Sequence, residues 1–419
     1  MQSKLTAHAR TIASLASQPL SSLSKPKIGR ARLWFVRQRN SEQQAAARIP
    51  HPLPLRPRPT RMASGDLDDL PTVCAPAFPV SDWLRRRPRA SFAVADRGAL
   101  PQAAELLRCW SNDATSYSYC GAQPAALLPL PLPCELDSGV ASFVPKSELA
   151  KPGVEVVVRA ALAAGTSPFS ASVLTFRSNL NKLGNTLCDA RTAWTVDACL
   201  VRSTLFLDIV KPELQGGEDS PEQRRFQAWG YVFEARCTGA AVADANQETS
   251  VLVRTSVGSV SVLLGAEIDC YDAESLPPGA PCTLLSLREL KTFKQPAHAG
   301  AWRTLYRSRH PKWWLQSHLA GVTQLLLGAR DDQGVVRAVH AVPTADLPRL
   351  SAANGEPWSP SQTLALTQDV LAWFRSVAKA QADGLHLRFV YAPENQAIEA
   401  HIVWGGRLHE RLKAVLPNT

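Results

Sequence analysis

The chain has 419 residues, 45% of them hydrophobic and 20% charged, with 11 Trp and 12 Phe. That composition supplies a sizeable core and excludes wholesale disorder. No run approaches roughly 18 uninterrupted apolar residues, so a membrane-spanning helix is excluded and no membrane partner is expected.

The net charge of +10 suggests a polyanionic partner, but its placement weakens that reading. Residues 1–62 hold twelve Lys/Arg against a single acid, Glu42, so the other 357 residues carry 34 bases and 35 acids. This first segment is Ser/Ala/Arg-rich and ends in the Pro-rich run Pro50 to Pro59, a composition expected to stay disordered. It fits a basic nuclear tail, an organelle transit peptide, or a leader ahead of a translation start at Met62. Nine cysteines are widely spaced and never C-x-x-C. Structural zinc is not expected, and the thiols are expected to be reduced, as inside a cell.

Residues 63–90 read as an irregular lead-in and 91–419 as one large domain. Pro124 to Pro133 reads as an extended surface crossing, and Gln215 to Gln223 as a loop. Val251–Val257, Ser259–Asp269 and Thr283–Lys291 are β-branched or apolar runs punctuated by Gly and Pro, as strands are. A helix is expected from near Pro311 through Trp313, Leu319, Val322 and Leu326. A second opens on Ser359-Pro360-Ser361-Gln362, a capping box, with Leu364, Leu371, Phe374 and Val377 on one face. Leu387–Ala392 and Ile398–Trp404 read as a closing hairpin. Strands and helices without regular alternation give an α+β class.

Side chains two apart on a strand share a face. Glu267 and Asp269 would therefore point together, as would Glu289 and Lys291, and neighbouring strands would gather three carboxylates and an ammonium. Such acids repel unless a cation sits among them, and hard divalent ions take oxygen ligands of this kind. A solvated face with a cross-strand ion pair explains the same spacing. Residues 288–312 add seven bases against one acid, with Phe293, Trp302 and Tyr306 interleaved. That pattern suits a grip on single-stranded nucleic acid, or a solvated loop over core aromatics.

In order and spacing, five motifs resemble the DXO-type RNA decapping nucleases: Phe176-Arg177-Ser178-Asn179-Leu180-Asn181-Lys182, Gly230-Tyr231-Val232-Phe233-Glu234, Glu267-Ile268-Asp269, Glu289-Leu290-Lys291-Thr292 and Lys312-Trp313-Trp314-Leu315-Gln316-Ser317. Weaker likeness reaches Ser91-Phe92 and Arg330-Asp331-Asp332, so the resemblance covers roughly 90–405. It implies two mainly antiparallel or mixed β-sheets flanked by helices, with a nuclease-like metal site of the PD-(D/E)XK type. The family hydrolyses RNA 5′ ends, releasing incomplete or non-canonical caps, including NAD, and pyrophosphate from 5′-triphosphates; some members also degrade RNA 5′→3′.

By position, the resemblance assigns Glu234, Glu267, Asp269, Glu289 and the Leu290 carbonyl to one or two Mg²⁺ or Mn²⁺ ions. It assigns Lys291 and Gln316 to the attacking water and scissile phosphate, and Arg177 to a terminal or cap phosphate. It also implies action in the nucleus. Ser178 stands where the family commonly has Gly, and His318 and Ala329 where bulky apolar residues are usual. Two other functions are a non-catalytic partner stabilising a nuclear 5′→3′ exoribonuclease and a DNA nuclease with the same site. The intact carboxylate set argues against a purely structural role, because an unused cluster would repel itself.

Overall fold

The computed structural model describes residues 72–86, 104–112, 117–118, 123–147, 153–210 and 220–417. The segment 1–62 and Ser91-Phe92 lie outside these. In chain order the elements are β1 (Thr72–Pro79), α1 (Val80–Arg86), β2 (Glu105–Asn112), β3 (Tyr117–Ser118), β4 (Cys134–Glu135), α2 (Glu155–Ala163) and β5 (Val173–Phe176). Next come α3 (Arg177–Asn185), β6 (Trp194–Val201), β7 (Thr204–Ile209), α4 (Pro221–Thr238), β8 (Glu248–Val257), β9 (Val260–Glu267), β10 (Cys270–Tyr271) and β11 (Leu287–Lys294). The rest are α5 (Ala299–Ser308), α6 (His310–Ala320), β12 (Gln324–Arg330), β13 (Val335–Pro343), α7 (Leu347–Ala353), α8 (Pro360–Lys379), β14 (His386–Ala392), β15 (Ala397–Ile402) and α9 (Leu408–Lys413).

The strands form two sheets, which confirms the α+β class. The larger runs β1-β15-β14-β6-β7-β5-β9-β8-β2-β3 and the smaller β10-β11-β12-β13-β4. Both are mixed: β5 lies parallel to β7 and β9, and β11 parallel to β12. The stretch 63–90 is not irregular throughout, because β1 and α1 fall within it and β1 joins the larger sheet beside β15. Its prolines are tolerated because β1 is an edge strand.

Several boundaries depart from expectation for local reasons. Helix α6 stops at Ala320 because Gly321 takes the left-handed conformation (φ 77°), and Leu326 lies in β12. Strand β11 starts at Leu287, four residues late, because Ser286 and Thr283 bond to each other across a tight turn. Helix α8 opens as expected, with the Ser359 hydroxyl accepting from the Gln362 N–H at 3.2 Å. Pro124 to Pro133 is partly packed: the Leu127 N–H donates to the Tyr271 carbonyl at 2.7 Å, and Leu127 and Leu130 lie against buried core residues.

The expected loop at 215–223 contains the start of α4. The Ser220 hydroxyl accepts from the Gln223 N–H (3.1 Å) while the Gln223 amide oxygen accepts from the Ser220 N–H (2.8 Å), and Pro221 fills the first turn. This is a reciprocal capping box. Ser220→Ala is expected to cost about 1 kcal/mol, seen as a lower urea midpoint at unchanged slope. The helix buries Trp229, Val232 and Phe233 with Leu290 and Val336 of the smaller sheet. Phe233 seats directly on Gly328 of β12, where an added Cβ would meet the ring at 2.8 Å. That close approach fixes the height of Glu234, the next residue along.

Candidate active site

Each motif arrives on a different element. Arg177 is the first residue of α3, directly after β5, and Glu234 lies on α4. Glu267 ends β9, Glu289, Leu290 and Lys291 lie within β11, and Gln316 lies on α6. The expectation of neighbouring strands is corrected: β9 belongs to the larger sheet and β11 to the smaller. Nor do Glu267 and Asp269 share one strand face, because the strand has ended and Ile268-Asp269 carries the chain from one sheet to the other.

Asp269 makes the join. Its Oδ2 accepts the Leu290 N–H at 2.6 Å and lies 3.5 Å from Lys291 Nζ. A strand residue's N–H and C=O point to the same side, so the Leu290 carbonyl faces Asp269 as well.

Glu289 is fully buried, with its side chain 0% exposed, yet it is the best satisfied of the acids. Lys291 Nζ lies 2.6 Å from one of its oxygens, Gln316 Nε2 donates to the same oxygen, and Arg177 Nη1 lies 3.3 Å from the other. Burial raises its pKa, but Lys291 and Arg177 outweigh burial and hold it below the usual carboxylate range. In turn Lys291 is driven upward despite its own burial, by Asp269, Glu289 and Glu234.

The remaining acids go the other way. Burial and then Glu248 push Glu267 to about 7; burial and then Glu289 push Asp269 to about 7. Burial and Asp269 raise Glu234 well above normal. A cleft of about 500 Å³ opens beside these three acids, walled also by Tyr231, Glu248 and Thr249. Sequence reading gave no role to Glu248. It reaches the cleft because Ser250, two residues on, pairs with Glu267 across β8 and β9, and nothing in the local sequence announces that register.

The donor set suits a hard divalent cation in atom type, number and charge, and burial with mutual repulsion has already lifted Glu234, Glu267 and Asp269. Among the described residues no three His, Cys, Asp or Glu side chains surround a common point. The fit is therefore one of donor chemistry and charge, not of a closed coordination shell.

The basic run divides. Arg288 pairs with Asp272 (2.9 Å), Lys294 with Asp332 (2.6 Å) and Lys312 with Asp189 (2.5 Å), while Arg303, Arg307 and Arg309 are exposed. Phe293, Trp302, Tyr306, His310 and Trp313 contact one another, Trp302 stacked on Tyr306 and the others tilted or edge to face, and Phe293 and Tyr306 are buried. Phe293 and Tyr306 thus serve the core, while Trp302 is half-buried. His318 stacks on Trp314 at 4.5 Å, and burial lowers its pKa to about 4, so a neutral ring takes the apolar place. Ser178 sits exposed in the first turn of α3, a position needing no glycine conformation.

Two mixed sheets delivering Glu-x-Asp from one and Glu-x-Lys from the other define a nuclease-type site. The family described as RAI1 like PD-(D/E)XK nuclease matches residues 105–418, and the chain belongs to it. It is 27% identical to the decapping and exoribonuclease protein of Bos taurus over 56% of this chain and 62% of that one. It is 28% identical to the decapping nuclease RAI1 of Cryptococcus neoformans over 46% and 53%. The chain thus spans less than two thirds of the length of these two curated relatives. Rai1 of Scheffersomyces stipitis shares the fold, with a TM-score of 0.66 at 18% identity over 75% of this chain and 95% of that one. Rai1 of Candida albicans, solved with pU5 and Mn²⁺, gives 0.64 at 18% identity over 76% and 97%.

Proposed function

We propose that this chain is a divalent-metal-dependent hydrolase of RNA 5′ ends, which removes incomplete or NAD caps and releases pyrophosphate from triphosphate ends. One observation carries the reading: Glu234, Glu267 and Asp269 gather charge at a cleft wall while Arg177, Lys291 and Gln316 converge on Glu289 beside them. Glu234, Glu267, Asp269 and Glu289, with the Leu290 carbonyl, would hold Mg²⁺ or Mn²⁺. When bound, such a cation supplies Lewis acidity and neutralises charge at the scissile phosphate.

The protein's own groups do the positioning. Glu289 fixes the Lys291 ammonium, the Gln316 amide and the Arg177 guanidinium, which keep further donors for phosphate oxygens. Donors held before substrate arrives stabilise the charge that develops on the phosphoryl oxygens without reorganising. In this role Lys291 and Gln316 orient water and scissile phosphate, and the Arg177 fork takes the adjacent phosphate.

The decisive assay offers purified protein and Mn²⁺ triphosphate, unmethylated-cap, methylated-cap and NAD-capped RNAs, with a DNA arm, and separates the products. Release of cap, NAD or pyrophosphate is expected. No product from any RNA, with an exoribonuclease co-purifying, would favour the stabilising-partner role instead. On the same reading the protein acts in the nucleus, a basic nuclear tail being one of the readings open to the first 62 residues; imaging of the full-length chain checks this.

A pH test follows from the acids. Glu267 and Asp269 titrate at about 7 when folded, against about 4 when unfolded. Their protonation therefore favours the folded state below about pH 4, and that contribution is lost as pH rises through 7. Metal-free protein is expected to melt lower at about pH 8 than at about pH 5.5. Millimolar Mn²⁺ should raise the melting temperature at the higher pH and do little at the lower. An unchanged melting temperature with Mn²⁺ at the higher pH would remove the metal from the site.

A further inference from the structure

Lys146 pairs with Glu248, a residue of the cleft wall, and stands on a segment fixed in an unusual way. The Asn246 side chain grips the backbone on both sides of it: its Oδ1 accepts the Ser147 N–H at 2.7 Å and its Nδ2 donates to the Pro145 carbonyl at 3.0 Å. Val144, two residues before, exchanges backbone hydrogen bonds with the same strip, donating to the Ala243 carbonyl and accepting from the Ala245 N–H, both at 2.9 Å. Asn246 is itself held by Asp244, which accepts from its backbone N–H and its side chain. Val144, Pro145 and Ser147 are thus tied to 243–246, and the side chain presented between them is a lysine.

The Lys146 ammonium pairs with Glu248, whose carboxylate walls the cleft, and Lys146 keeps 29% of its side chain exposed. Glu248 is two residues before Ser250, the partner of Glu267, so it lies on the same face of β8 and β9 as that acid. Glu267 feels the fields of three cations: Lys146, Arg177 and Lys291. Arg177 and Lys291 are joined to Glu289 in the smaller sheet's half of the site. Lys146 is joined instead to Glu248 on β8, beside Glu267 in the larger sheet. An ammonium keeps three donors, and one carboxylate does not use them all.

Resting on the function proposed above, we infer that Lys146 binds a second phosphate of the 5′-phosphoanhydride, the one on the leaving-group side of the scissile phosphorus. A triphosphate or dinucleotide cap has such a phosphate; a 5′-monophosphate does not. Lys146 therefore selects ends that carry an anhydride, and Glu248 and Asn246 are its positioning residues. Glu248 moderates the selection, because it competes with the incoming phosphate for the ammonium.

The test compares Lys146→Met, Lys146→Arg and Asn246→Ala with the wild type on one RNA sequence bearing a triphosphate, a monophosphate or a hydroxyl end. Turnover is measured together with binding by fluorescence anisotropy. Lys146→Met is expected to raise KM for triphosphate RNA about tenfold, the usual worth of one charge-assisted contact, with kcat changed much less. The loss of binding affinity for monophosphate RNA should be at least fivefold smaller, and Lys146→Arg should restore most of the triphosphate preference. Asn246→Ala should weaken the preference in the same direction. Equal losses on triphosphate and monophosphate ends, or no rescue by Arg, would overturn the inference. Failure of wild-type turnover on every RNA would sink the proposed function, whereas a wild-type binding preference for triphosphate over hydroxyl ends, lost in Lys146→Met, would still support this site.

Discussion

Glu267→Ala combined with Asp269→Ala is expected to abolish 5′-end hydrolysis, by more than about a thousandfold, while the metal-free protein melts no lower than the wild type. The two halves of this result come from one cause. Both carboxylates sit where burial and neighbouring acids penalise their charge. Without a cation they are a burden on the fold, and removing them relieves repulsion felt by Glu234. Asp269 also accepts the Leu290 N–H, and losing that bond offsets part of the relief. A second signature separates this variant from a damaged one. The wild-type rise in melting temperature with Mn²⁺ at about pH 8 should disappear along with activity. Product release by the double mutant at near the wild-type rate would sink the site assignment.

Much of this site was legible in the sequence because its chemistry lies in short strings. Acid-x-acid and acid-x-Lys can be read one residue at a time, and Glu289 and Lys291 do meet as strand alternation predicts. Their spatial reason could not be read. Alternation suggested one sheet, whereas Asp269 leaves β9 and bonds to β11 across a change of sheet. Long-range register has no local signature, so Glu248 and Lys146, 102 residues apart and in contact, stayed hidden. Strand β1 was missed for a similar reason. It pairs with β15 more than 300 positions away, and its two prolines read locally as irregular chain. The start of α4 was a different kind of miss. Ser220-Pro221-Glu222-Gln223 is a visible capping box, obscured by the acidic, Gly-containing stretch before it. The basic run with its aromatics stayed open between two readings, since composition cannot separate a stacking surface from a core that the same rings build.

Glu289→Ala should behave oppositely to the first variant, although it also removes an acid. Glu289 is the shared acceptor of Arg177, Lys291 and Gln316, and none of its surface reaches solvent. Its loss leaves two cations and an amide facing a small apolar side chain. Breaking a buried pair from one side costs about 3–5 kcal/mol, so a clear drop in urea midpoint is expected along with loss of activity. The cost should fall toward the lower end of that range, because Lys291 already lies 3.5 Å from Asp269 and can turn to it. That shift has its own readout. Glu289 is the leading charge that repels Asp269, so its removal lets the Asp269 pKa fall back toward normal. The decline in metal-free stability between about pH 5.5 and pH 8 should flatten in Glu289→Ala relative to wild type. A variant as stable as wild type at both pH values would mean that Arg177 and Lys291 do not depend on Glu289 for their place, and the two-sided charge arrangement would have to be redrawn.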